Sequence, residues 1–196
     1  MAPQVGPTSQ PPQGAVSRAI PGIKNIIAVG AGKGGVGKTT VAVNLATALA
    51  RSGSQVGIID GDVYGPNVPI MLGLEAQLET DGKKIIPAEK YGLRVVSMGF
   101  LTSADAPIIW RGPMLHGVVK QFFQDVRWGE LDYLIIDMPP GTGDVALSLS
   151  QTVPVSGAVV VTTPQNVSLA DSRRAIGMYK KLEIPTLGII ENMSHY

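Results

Sequence analysis

"VGAGKGGVGKTT" occupies residues 29–40. It leaves an apolar run, "NIIAVG" (25–30), and enters a stretch where Val41, Leu45 and Leu49 recur at helical spacing. Within this strand–loop–helix setting, Gly32 to Thr39 satisfies the pattern GxxxxGK(S/T). A loop of this kind lets successive backbone N–H groups converge on phosphate oxygens, and the helix N-terminus adds partial positive charge. Gly32, Lys33, Gly34, Gly35, Val36 and Gly37 are the expected cradle. Lys38 is expected to reach the β- and γ-phosphates, Thr39 to offer its hydroxyl to Mg2+, and Thr40 to stand by the α-phosphate.

A rival pattern shares these residues. Gly30, Gly32 and Gly35 also spell GxGxxG, the dinucleotide fingerprint, and Asp60 ends the next strand, where a ribose-binding acid belongs. The Lys38-Thr39-Thr40 helix start and a later strand ending in Asp137 favour the phosphate loop, because the fingerprint requires neither.

Outward from the loop, apolar runs alternate with amphipathic stretches. "VGIID" (56–60), "LRVVSMG" (93–99), "LDYLIIDM" (131–138), "GAVVVTT" (157–163) and "LGII" (187–190) read as strands buried on both faces. Leu115, Val118, Val119, Phe122, Phe123 and Val126 mark one helix. Residues 168–182 mark another, and a third is expected near Val145 with Asp144 as its cap. The alternation predicts an α/β fold of three layers, a mostly parallel sheet flanked by helices. Residues 64–92 are less regular and predict only short elements.

Residues 1–22 contain five prolines and three glycines with almost no apolar periodicity, and read as a disordered linker. Residues 23–196 are then expected to form a phosphate-loop domain, partial as it stands. A net charge of +1 offers no bulk attraction to nucleic acid or to a membrane. No signal-peptide pattern is present, so a cytoplasmic location is expected. The chain has no cysteine and therefore no thiolate ligand of its own.

Two acidic motifs complete the site. "IIDGDVYGPN" (58–67) ends a strand in Asp60-Gly61-Asp62, and "LIIDMPPGTGD" (134–144) ends another in Asp137. Strand-end carboxylates beside a phosphate loop orient water or hold Mg2+. Asp137 is the expected Mg2+ residue, with Asp60 in support; for Asp60 a turn or capping role is an equal alternative. Gly141 is expected to bring its N–H against the γ-phosphate.

The early lysine makes "KGGVGKT" (33–39) similar to the deviant phosphate loop of the MinD/ParA and nitrogenase iron-protein class. That resemblance implies a homodimer in which Lys33 of one copy reaches the other's nucleotide. It also casts Asp62 as the residue that positions the attacking water. "IIWRGPML", "WGELDYLIIDMPPGTGDVALSLSQ" and "SGAVVVTTPQNVSLADSRRAIGMYKKLEIPTLGIIENMS" narrow the match. From about Pro21 to Tyr196 the chain resembles the Mrp/ApbC-type ATP-binding iron–sulfur cluster carriers. The resemblance implies slow, switch-like ATP hydrolysis and delivery of a cluster to apo-proteins. Lys33, Lys38 and Asp62 are then the catalytic candidates. Thr39, Asp60 and Asp137 are the Mg2+ candidates, and Asn192 contacts adenine. The family's cluster ligands are a CxxC just after the ENMS segment, a position beyond Tyr196. The fold is accordingly expected to be cut at both ends and incomplete at its C-terminal side. Two further readings are a positioning or partition ATPase of the MinD/ParA kind and a nucleotide-dependent scaffold without catalysis.

Overall fold

The computed structural model describes residues 20–62, 65–75, 79–101 and 112–195. The phosphate-loop stretch joins strand β1 (Ile23–Ala31) to helix α1 (Lys38–Arg51). Then come β2 (Val56–Asp60), α2 (Val68–Leu72), and the short strands β3 (Glu79–Thr80), β4 (Ile85–Ile86) and β5 (Ala88–Lys90). The chain continues through β6 (Leu93–Ser97), α3 (Gly112–Gln124), β7 (Leu131–Asp137), α4 (Asp144–Thr152), β8 (Gly157–Thr162), α5 (Asn166–Lys181) and β9 (Thr186–Glu191).

Seven strands make the main sheet, in the order β5-β6-β2-β7-β1-β8-β9. Every neighbouring pair is parallel except β5 with β6. Side-chain alternation divides the core into two layers. Ala28, Ile59, Val96, Leu134, Ile136 and Val160 pack with α3, α4 and α5. Val29, Ile58, Val95, Ile135 and Val161 pack with α1 and α2. Adjacent residues of one strand thus serve opposite faces, which is why these strands read as unbroken apolar runs.

Three expectations need correction. Leu187–Ile190 form a strand, but an exposed one: Leu187 and Ile189 are each 57% exposed and Ile190 38%. β9 pairs with β8 on one side and is the last strand of the sheet, so apolar composition marked the strand but not its neighbours. At the other end, the ordered domain takes in Ile20 to Gly22, which the linker reading had excluded. Ile20 packs against the core, and the Gly22 carbonyl accepts from Leu131 N at 2.7 Å. Helix α4 begins on Asp144 itself, with Gly143 in the capping position. Trp110 and Arg111 of the "WRGPM" segment lie outside the described residues. Among the described residues, no helix is long and apolar enough to cross a membrane.

Candidate nucleotide site

The loop owes its path to two glycines. Gly37 caps α1 in the left-handed region (φ 82, ψ 27), a conformation that costs glycine nothing and other residues strain. No side chain caps this N-terminus, which suits it to a phosphate. At Gly32 the constraint is space. A Cβ there would fall 2.2 Å from the Asp171 backbone carbonyl, so only glycine lets the loop rest on α5.

Parallel register delivers Asp137 to the loop. It ends β7 opposite Val29 of β1 and Asp60 of β2. Lys38 Nζ lies 2.5 Å from Asp137 Oδ1, and Thr39 Oγ1 donates to Asp137 Oδ2 at 2.7 Å. Burial pushes the Asp137 carboxyl above its ordinary range, against the pull of the Lys38 ammonium and the Thr39 hydroxyl. Carboxylate and hydroxyl oxygens in contact are hard donors that suit Mg2+, which takes few protein ligands and keeps water and phosphate for the rest. Thr39 and Asp137 therefore fit such an ion.

Asp60 makes the contacts of its turn-or-capping alternative. It is fully buried, and both oxygens are engaged. Oδ1 accepts from Asp62 N at 3.2 Å; Oδ2 accepts from Val68 N and Ser97 Oγ, each at 3.1 Å. Burial and the neighbouring Asp137 charge push its carboxyl up to about 7, although its three donors pull the other way. In this geometry Asp60 ties the β2–α2 loop and the start of α2 to β6. Asp62 lies nearer the ligand space. With Lys33, Lys38, Thr39, Thr40 and Pro140 it lines a cavity of about 350 Å3 at the C-terminal ends of the strands. Its Oδ1 accepts from Gly65 N at 3.3 Å.

Gly141 does not offer its amide to the cavity. Its N–H donates to the Ala31 carbonyl at 3.1 Å, so the loop after β7 is folded onto the end of β1. Contact with a γ-phosphate requires that bond to open. Asn192 sits beside the loop, and its Nδ2 donates to the Val36 carbonyl at 2.9 Å. A larger cleft, about 660 Å3, lies at the other end of the sheet beside Trp128 and Glu130. Its cations are already engaged: Lys84 Nζ donates to the Gln124 carbonyl, and Arg127 pairs with Asp81.

Sequence reasoning missed Ser97, the support of Asp60 from 37 residues away, and the cavity residues Asn67 and Met71. Asn67 closes the 58–67 stretch with no role assigned to it, Ser97 and Met71 lie in no motif, and only the β2–β6 pairing brings Ser97 opposite Asp60. It also missed Tyr179, whose hydroxyl fills the space a side chain at Gly30 would need.

The family model described as ParA, NUBPL iron-transfer P-loop NTPase, matches residues 22–196. The chain belongs to this family. Among curated relatives, the iron-sulfur cluster carrier protein of Synechocystis is 56% identical over 179 residues, covering 89% of this chain and 51% of its own length. The protein of the same description from Escherichia coli K12 is 54% identical over 177 residues, covering 89% and 48%. The chain thus spans about half the length of the curated relatives it matches. Among solved structures, the Archaeoglobus fulgidus nucleotide-binding protein in complex with ADP superposes with a TM-score of 0.78 at 40% identity, over 89% of this chain and 68% of that one. The Pyrococcus horikoshii septum site-determining protein MinD with Mg-ADP gives 0.62 at 25% identity, over 86% and 70%. These likenesses place the NUBPL-type chain in the P-loop NTPase fold.

Proposed function

We propose that this chain is the ATP-binding and ATP-hydrolysing part of an iron–sulfur cluster carrier. The observation that carries the ATPase reading is the meeting of Lys38, Thr39 and Asp137 beneath a cavity at the N-terminus of α1. Residues 32–40 bind the triphosphate, with Lys38 turning from Asp137 to the β- and γ-phosphates. Thr39 and Asp137 hold Mg2+, which supplies charge neutralisation at the phosphates. Asp62 orients the attacking water, and Lys33 of one copy reaches the nucleotide of the other in a homodimer. Charge developing on the γ-phosphate is met by fixed cations and amides rather than by water. Adenine recognition falls to the remaining side-chain oxygen of Asn192.

The cluster is cargo. The 196 residues contain no cysteine, and among the described residues no group of three or more His, Asp or Glu is placed to hold a metal. Support for the carrier reading comes from relatives above 50% identity that bear that name, and its recipients are apo iron–sulfur proteins. MinD-like positioning is the weaker reading, since the MinD structures resemble the chain at only 24–27% identity.

Steady-state hydrolysis by the protein and by Lys38→Ala tests the ATPase part. A loss of about a hundredfold or more is expected, and unchanged turnover refutes the assignment. Transfer of a reconstituted cluster from the whole protein to an apo iron–sulfur enzyme tests the carrier part. Failure to assemble or pass a cluster, with ATPase activity intact, leaves a nucleotide switch of another kind.

A further inference from the structure

Asn192 is held at its backbone by β8: its N–H donates to the Thr162 carbonyl at 2.8 Å, at the end of β9. The chain then turns, with Met193 in the left-handed region (φ 55). The Asn192 side chain crosses to the phosphate loop, where Nδ2 donates to the Val36 carbonyl. The fit continues at the next residue. A Cβ on Gly37 would lie 2.3 Å from the same Nδ2 and 3.8 Å from Met193 Cε.

Peptide geometry gives this contact a consequence. In a planar trans peptide the carbonyl oxygen and the following N–H point in opposite directions. Tying the Val36 oxygen to Asn192 turns the Gly37 N–H the other way, and Gly37 lines the cavity. At its start the loop is pinned by Gly32 against the α5 backbone. Asn192 supplies the second fixed point, just before Lys38.

We propose that Asn192 is a positioning residue of the phosphate cradle, aiming the Gly37 amide at the bound phosphate through the Val36 carbonyl. This goes beyond base recognition and rests on the reading of residues 32–40 as a phosphate loop. Two variants without the donor, Asn192→Ala and Asn192→Leu, separate the two roles. Binding of ATP, GTP and inorganic tripolyphosphate is measured by calorimetry for each. A base contact acts on ATP alone, whereas a cradle support acts on all three. The expected result is a loss of about fivefold for GTP and tripolyphosphate, the size of one neutral hydrogen bond, and at least that for ATP, whose base contact is lost as well, with faster amide exchange at Gly37 and Lys38 and unaltered exchange in β7. A loss confined to ATP, or equal binding by wild type and variants, overturns the proposal while leaving the ATPase reading intact. A wild-type protein that binds none of the three removes the ATPase reading and the proposal together.

Discussion

Lys38 Nζ lies 2.5 Å from Asp137 Oδ1, with Lys38 only 7% exposed and Asp137 fully buried. Each charge is the other's principal compensation at a nearly buried position on the floor of the cavity. The pair joins the first turn of α1 to the end of the central strand β7, so the lysine proposed to bind nucleotide is also part of the fold.

Removing one partner therefore costs stability as well as binding. Lys38→Ala is expected to lower the unfolding free energy by about 3 kcal/mol, because it strands a buried carboxylate. Adding Asp137→Asn should recover most of that loss, since the double variant buries no unpaired charge. Urea denaturation of the two single variants and the double variant gives the cycle. Additive losses would show that the two groups are not coupled.

Thr39 presents one hydroxyl to both Asp137 and the expected Mg2+. Thr39→Val keeps the shape and removes the oxygen. The Mg2+ concentration for half-maximal ATPase activity should rise about tenfold or more, at least the loss that follows removal of a group supporting a metal ligand. An unchanged Mg2+ titration would place the ion elsewhere.

Asp62 lines the cavity, while Asp60 is locked into the loop below it. Asp62→Asn should lower kcat by about a hundredfold and leave KM within about twofold, as expected for a residue that acts on the attacking water. A rise in KM with kcat preserved would reassign Asp62 to ground-state binding.

Asp60 makes stability depend on pH. Its carboxyl is pushed up to about 7 in the folded chain, against 3.8 for an ordinary aspartate. Between those values the folded state keeps a proton that the unfolded state has lost, so stability falls as pH rises towards 7. Asp137, also raised by burial, adds in the same direction. Urea midpoints of the nucleotide-free, Mg2+-free protein should decline from about pH 5 to about pH 8. Asp60→Asn should flatten that decline, though from a lower starting stability because one of its backbone donors loses an acceptor. A decline equally steep in the variant would assign the effect to Asp137.

Much of the architecture was legible because its cause is local. β2 occupies the predicted residues 56–60, and β7 and β8 each end one residue before their predicted ends. Strands show as apolar runs and amphipathic helices as a helical period, whichever segments they later pack against. Lys38, Thr39 and Asp137 were legible for a related reason: a phosphate loop and a strand-end carboxylate need particular residue types at particular spacings, and the parallel β1–β7 register brings them together.

The sequence by itself determined the alternation of strand and helix, the phosphate loop, and the acids at the strand ends. Tertiary structure decided what those groups touch. It closed Ser97 and the start of α2 around Asp60, folded the Gly141 amide onto Ala31, and left Leu187 and Ile189 on an open sheet edge. It also set Asn192 against a carbonyl 156 residues away. Hydrogen-bond partners and burial depend on which distant segments pack side by side, and no local pattern of residue types carries that information.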